Sequence, residues 1–180
     1  MIAEPDYLRS VLESFDGKTV MPLQAVAEHS EFSLESLDTL LSFIENEDVH
    51  FQIGASWIIL YATEIHALIG KEAKKRIFEI LSWDTNWQIA LHFLQLFPFL
   101  KIESDEASEI LPVLTKLTEH KRPFVRAWAY NALYIAAAEN PQLRPLITER
   151  LNLALTRENA SVRARIRNAV SKSQWFKLTE

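Results

Sequence analysis

Residues 123–138 read Pro-Phe-Val-Arg-Ala-Trp-Ala-Tyr-Asn-Ala-Leu-Tyr-Ile-Ala-Ala-Ala, a segment with a strong preference for the helix. It is rich in alanine, carries large apolar side chains and contains a single charge, Arg126. A helix that is apolar almost all round lies inside a protein and not on its surface. Its small side chains also let neighbouring backbones approach closely. We therefore expect a buried helix here, with other helices packed around it.

Weaker copies of this stretch recur along the chain at nearly constant spacing. The first residues of the four aligned segments are Phe51, Trp87, Val125 and Val162. Successive segments are therefore 36, 38 and 37 residues apart. Three residues before three of these segments lies a residue whose side-chain oxygen can cap a helix N-terminus. These residues are Asp48, Asp84 and Asn159. In the third segment Pro123 suits the first helical position.

Each of these helices is preceded by another amphipathic segment. The apolar spacing predicts helices over residues 33–45, 71–81, 105–118 and 141–156. Ser33, Ser104 and Asn140 are the predicted N-caps of the first, third and fourth. The unit is therefore helix, short turn, helix, and it occurs four times. Residues 4–29 predict a shorter helical pair around Asp16-Gly17, which forms an N-terminal cap over residues 1–30.

Composition bounds the class of protein. A chain of 180 residues that is 48% hydrophobic is typical of one globular domain, here residues 1–180. Only three glycines and little alternation of apolar and polar residues argue against β-sheets. The absence of cysteine excludes disulfides, thiolate zinc sites and cysteine nucleophiles. Neither a signal peptide nor a membrane span is predicted, so we expect a cytoplasmic protein without membrane contact.

The repeating helix pairs identify a family resemblance. Pairs of about 37 residues with an Asp or Asn turn, followed by Val125-Arg126 or Val162-Arg163, resemble HEAT repeats, and Pro112 resembles the proline in the first helix of such repeats. The resemblance covers residues 31–172. It implies an all-α fold, a right-handed α-α superhelix (solenoid) of about four helix pairs, followed by a tail over residues 173–180. Stacking also has a physical reason, because one helix pair cannot bury both of its faces alone.

No catalytic or metal-binding constellation is predicted. None of the five histidines pairs with another His or a carboxylate at the spacing that metal ligands need on a helix. Phosphate-binding glycine loops and a nucleophile elbow are absent from the sequence. We therefore expect a non-enzymatic protein without metal or other cofactor.

The second helices of the pairs carry the candidate binding surface. Two alignment columns four residues apart lie on one helical face. They contain polar and aromatic residues that we expect at a concave surface that binds a partner. These are Gln88, His92, Arg126, Tyr130, Arg163 and Arg167, and the same two columns also contain Gln52 and Ser56. The alternative is an ordinary solvated face. For Trp128 a core position is favoured over a role as a binding anchor.

Charge along the chain suggests the kind of partner. Residues 1–70 carry twelve acids and two bases, whereas residues 120–180 carry eleven bases and four acids. We expect a protein partner that is acidic where it meets Arg126, Arg163 and Arg167. The basic last helix is alternatively a polar cap, or docks on the acidic first helices of another copy.

Nucleic acid is the alternative partner, since clustered arginines can contact phosphates. Its most specific version is a DNA base-repair glycosylase. Phe124-Val-Arg-Ala-Trp128 and Glu139-Asn-Pro141 resemble a repeat of the HEAT-like DNA alkylation repair proteins, although no catalytic aspartate can be placed beside them.

Finally, the aromatic segment over residues 174–178 is predicted to fold back over the last repeat as a lid; the alternative is a projecting segment that dimerises.

Overall fold

A computed structural model describes residues 5–29, 31–66 and 69–177 of the chain. These residues form helices and contain no β-strand, which confirms the all-α prediction. The helices are α1 Pro5–Ser14, α2 Met21–Ala27, α3 Leu34–Asn46, α4 Val49–His66, α5 Lys71–Ser82, α6 Trp87–Leu96, α7 Ser104–Leu117, α8 Pro123–Glu139, α9 Arg144–Arg157 and α10 Ala160–Val170. Short 3₁₀ turns lie at Phe97–Phe99 and Pro141–Leu143. Across these ranges, no helix combines the length and the apolar character that crossing a bilayer requires.

The chain divides into two compact units, Met1–Phe99 (unit 1) and Leu100–Glu180 (unit 2). In unit 1 the central element is α4, which packs against α1, α2, α3 and α6. Gly54 explains how α1 comes so close to it. A Cβ atom at Gly54 would lie 2.7 Å from Cδ2 of Leu12 and 3.2 Å from the ring of Phe15, so a larger side chain here would press on α1.

In unit 2 the central element is α8, which packs against α7, α9 and α10. Its buried side chains are mostly small, and they are Val125, Ala127, Ala129, Asn131, Ala132, Leu133, Ala136 and Ala137. The prediction that residues 123–138 form a buried helix surrounded by other helices is confirmed. On α10 the buried side chains are Val162, Ile166 and Val170, which leaves the arginines of that helix on its other faces.

Four helix starts follow the sequence prediction. Asp48 Oδ1 accepts hydrogen bonds from the backbone N–H groups of His50 and Phe51, at 2.8 and 3.2 Å. Asn159 Oδ1 accepts from the N–H of Val162 at 3.1 Å, and the hydroxyl of Ser33 caps α3. Pro123 stands at the first position of α8. These contacts satisfy amide groups that a helix cannot satisfy internally.

Three predicted caps are wrong. The N-cap of α6 is Asn86 and not Asp84, because Asn86 Oδ1 accepts from the N–H of Gln88 at 2.9 Å. At α7 the cap position is Glu103, and Ser104 is already helical. The Asn140 side chain is buried and donates to the carbonyl oxygens of Ile102 and Ala136, so α9 begins only after an intervening 3₁₀ turn.

The two ends of the described chain also follow the prediction. Gly17 has φ +78°, and Asp16 accepts hydrogen bonds from the N–H groups of Lys18 and Thr19, which makes the turn between α1 and α2. At the other end Trp175 stacks on Tyr134 with ring centroids 5.2 Å apart. Phe176 is buried, so the tail folds back onto α8. Residue 178, the end of the predicted lid, lies outside the described residues.

Candidate functional site

A cleft of about 330 Å³ lies between α8 and α10 in unit 2. Its lining residues are spaced three or four apart on each helix, so each helix contributes one face. They are Phe124, Ala127 and Trp128 from α8, and Ser161, Ala164, Arg165 and Asn168 from α10. We call this the α8–α10 cleft.

The centre of the α8–α10 cleft is a pair formed by Trp128 and Arg165. The guanidinium carbon of Arg165 lies 4.1 Å from the centroid of the Trp128 ring, which is a close cation–π contact. Both side chains are partly buried. The indole holds the planar guanidinium in one orientation, so the donors at its edge are already positioned for an acceptor.

An exposed aromatic ring stands beside this pair. Phe124 lies one turn before Trp128 on the same face of α8, and 65% of its surface is exposed. Ala127 and Ala164 lie next to it, and their short side chains leave a depression between the two helices. Exposed aromatic rings beside a concave surface are typical of binding sites.

The charge of this region is uncompensated within the part of the chain that the structure describes. There, Arg163, Arg165 and Arg167 form no ion pair and no side-chain hydrogen bond. No carboxylate is among the described residues that line the α8–α10 cleft. The cleft is therefore suited to an anionic group.

Two of the sequence-predicted site residues, Arg126 and Tyr130, lie on the other side of α8. Arg126 donates to both carboxylate oxygens of Glu158, at 2.9 and 2.8 Å, and to the carbonyl oxygen of His120. The hydrogen bond to Glu158 raises the pKa of Arg126. Its side chain is only 18% exposed, so Arg126 ties α8 to the turn before α10 and has its charge neutralised there.

Tyr130 lines a second cleft of about 370 Å³, together with the turn that follows α7 and with Arg150, Leu153 and Arg157 of α9. Burial raises the pKa of Tyr130, so its hydroxyl stays protonated at neutral pH. The structure thus brings Arg126 and Tyr130 together, but it turns them away from the α8–α10 cleft.

Gln88 and His92 belong to unit 1. The Nδ1 atom of His92 lies 2.9 Å from Oγ of Ser56, across the contact between α6 and α4. Burial lowers the pKa of His92 to about 4, so it is neutral at pH 7. Ser56 is fully buried, and the prediction that this column is exposed is wrong there. Gln88 is partly buried in the first turn of α6.

Arg163 and Arg167 lie on α10 but not in the α8–α10 cleft. Each is two positions from Arg165, which rotates it by about 200° around the helix axis. Arg163 is partly buried and Arg167 is exposed. For all six residues the partner-binding role stays a prediction, and binding in the α8–α10 cleft, which none of them lines, is the alternative to it.

The residues that sequence reasoning missed are Phe124 and Arg165. Trp128, for which the sequence favours a core position, is partly buried and also lines the cleft. A usable signal was present, because Phe124 and Trp128, like Ser161 and Arg165, are four residues apart. What the sequence could not show is which of two opposite helix faces meets solvent.

Metal chemistry has no support in residues 5–29, 31–66 and 69–177, where no group of three or more His, Asp or Glu side chains converges.

Comparison of the chain with protein-family models, with curated proteins and with solved structures finds no match.

Proposed function

We propose that this protein is a non-enzymatic HEAT-like scaffold or adaptor of the cytoplasm, which binds a protein partner in the α8–α10 cleft. The observation that carries the proposal is Arg165. It is oriented by Trp128, and it lies on α10, which packs on the helix that carries the exposed Phe124. It has no acidic partner among the described residues. An acidic contact surface on the partner complements this arrangement.

The solenoid part of the proposal rests on the repeated helix pairs. In unit 1 the second helices α4 and α6 pack on each other, and in unit 2 the second helices α8 and α10 do the same. This is the contact expected between neighbouring repeats. We propose that α3 to α10 form four such pairs of a right-handed superhelix, with α1 and α2 as its N-terminal cap.

A protein partner is favoured over nucleic acid by the mixed character of the cleft. Phe124 and Trp128 supply large aromatic surfaces, and aromatic residues and arginine are enriched at the energetic centres of protein interfaces. The sequence pI of 5.6 lies far below the basic range of most nucleic-acid-binding domains.

The test is affinity purification of the tagged full-length chain from its native cell, with quantitative mass spectrometry. We compare the wild type with Arg165→Glu and with Arg167→Glu, which makes the same charge change on another face of α10. We expect at least one protein to be lost with Arg165→Glu and kept with Arg167→Glu, and to bind the purified chain directly. The proposal is wrong if no retained protein depends on Arg165.

Nucleic acid remains the second candidate because three arginines on one helix are unpaired in the described chain and Trp128 offers a stacking surface. In its enzymatic form this candidate is a base-repair glycosylase. Retention of a labelled DNA duplex at low salt, lost steeply as salt rises, supports the candidate. No retention at low salt removes it.

A further inference from the structure

The orientation of Arg165 limits what it can bind. One face of its guanidinium lies against the indole of Trp128, so a ligand can approach only the other face or the edge. The edge carries parallel N–H donors whose spacing matches the two oxygens of a carboxylate. A carboxylate in the plane of the guanidinium is therefore the best complement to this side chain.

An apolar subsite lies directly beside it. It is lined by the short side chains of Ala127 and Ala164 and by the rings of Phe124 and Trp128. The whole cleft measures about 330 Å³, at the lower end of the range of ligand pockets, roughly 300–1,000 Å³. It has room for one or two side chains and not for a folded surface.

Asn168 completes the set of contacts. It lies one turn after Arg165, is exposed, and its side-chain amide makes no hydrogen bond to any described residue. An amide offers both a donor and an acceptor, which is what the main chain of an extended peptide needs. Ser161, by contrast, donates its hydroxyl to Asn159 Oδ1 at 2.8 Å and contributes mainly as an acceptor.

We infer that the α8–α10 cleft recognises a short linear segment in which an Asp or Glu stands next to a large apolar side chain. This inference rests on the proposed function and narrows it. A nucleic-acid backbone fits less well, because binding to it grows with the number of phosphates contacted, and among the described residues that line the cleft Arg165 is the one arginine. A second copy of this chain and nucleic acid are the competing occupants.

The experiment selects ligands without bias. A random peptide library displayed on phage is passed over the immobilised full-length chain, and enriched peptides are sequenced and synthesised. We expect enrichment of peptides with Asp or Glu adjacent to Phe, Trp, Leu or Met. Affinity of the synthetic peptides is then measured by fluorescence anisotropy against three variants.

The variants separate the two subsites. Arg165→Gln should weaken binding about tenfold or more, because it removes a charge-assisted hydrogen-bonded pair. Phe124→Ala should weaken it in proportion to the size of the apolar side chain in the peptide. Arg167→Gln is the matched control, with the same charge change on the same helix, and should alter the affinity less than twofold. Circular dichroism of each variant checks that the helices are retained.

Two results overturn the inference. One is enrichment of peptides without acids, or of none at all. The other is an equal loss of affinity with Arg165→Gln and Arg167→Gln, which indicates unspecific attraction. Neither result decides the proposed function, because a folded partner that depends on Arg165 in the purification still supports protein binding. If the chain self-associates with rising concentration and Arg165→Gln abolishes this, the occupant of the cleft is a second copy of the chain and not a linear segment. If the chain binds a DNA duplex and Arg165→Gln abolishes this, the occupant is nucleic acid.

Discussion

Units 1 and 2 are built from similar helix pairs, but they use their charges differently. In unit 1 the arginines connect helices: Arg9 pairs with Glu47, and Arg76 bonds to Glu45 at 2.7 and 2.8 Å and also pairs with Asp38. In unit 2 Arg126 does the same with Glu158, whereas the three arginines of α10 have no acidic partner in the described chain.

The overall balance of charge follows the same division. Residues 1–99 carry fifteen acids and six bases, a net charge of −9, and residues 100–180 carry nine acids and thirteen bases, a net charge of +4. An arginine that ties two helices together contributes to stability, and an arginine without a partner is available for binding. Stability and binding measurements on matched variants can therefore distinguish the two classes.

The largest effect is expected at the ion pair of unit 2. Glu158→Ala leaves Arg126 partly buried and without its carboxylate, and the two side chains are only 13% and 18% exposed. We expect the free energy of unfolding to fall by about 2–3 kcal/mol, measured by urea denaturation. Glu149→Ala, an exposed position on α9, is the control and should change it by less than about 0.5 kcal/mol. A loss equal to that of the control would contradict the structural role.

The pH dependence of stability tests the contact between the neutral His92 and Ser56 in unit 1. The pKa of His92 is about 4 in the folded chain, below the value of an unfolded histidine, about 6.5. The unfolded state therefore binds the proton first. The contribution of His92 is fully present above pH 6.5 and is lost as the pH falls to 4.

His92→Asn provides the comparison for this effect. Its side-chain amide can still bond to Ser56 but does not titrate. Between pH 6.5 and 4 the free energy of unfolding should fall less steeply for this variant than for the wild type, as followed by urea titrations at each pH. Parallel curves would show that His92 titrates normally in the folded protein.

A smaller effect is expected at Arg76. Arg76→Gln removes its pairs with Glu45 and Asp38 between α5 and α3, and Arg76 is partly exposed. We expect a loss of about 1 kcal/mol that shrinks as salt is added, because such pairs are screened. Thermal unfolding at low and high salt measures it, and a loss independent of salt would point to packing instead.

The smallest effect on stability is expected at the unpaired arginines of α10. Arg165→Gln loses only the contact with Trp128, worth about 0.5–1 kcal/mol. Arg167→Gln should lie within about 0.5 kcal/mol of the wild type. A larger loss at Arg167 in the same thermal measurement would show that it has a structural partner.

The helical architecture could be predicted because buried apolar residues recur in the sequence at the period of a helix. The alanine-rich stretch of α8 and the segments aligned with it at 51, 87 and 162 all became helices, and Asp48 and Asn159 cap two of them. The caps at Asp84 and Ser104 failed because a neighbouring residue, Asn86 or Glu103, occupies the capping position. Cap position depends on where a helix starts within its packing, to a precision of one or two residues.

The candidate site was harder to predict for a different reason. Alignment of the repeats shows which positions are equivalent but not which helix face is covered. The sequence predicts that polar residues in these columns are exposed, yet Ser56 is buried, because its hydroxyl donates to the carbonyl oxygen of Ile53 in its own helix and lies beside His92. Conversely, Phe124 is apolar and exposed. At Ser56, hydrogen bonding within the structure, which the sequence does not display, reversed the expectation.

The most direct test of the account compares Arg165→Glu with Arg76→Glu in one series. For each variant, retention of the partner proteins by the tagged chain and the thermal unfolding midpoint are measured. We expect Arg165→Glu to lose a partner while the midpoint stays near that of the wild type, and Arg76→Glu to lower the midpoint while the folded protein keeps the partner. Unchanged retention with Arg165→Glu would contradict the claim that the α8–α10 cleft is the binding site.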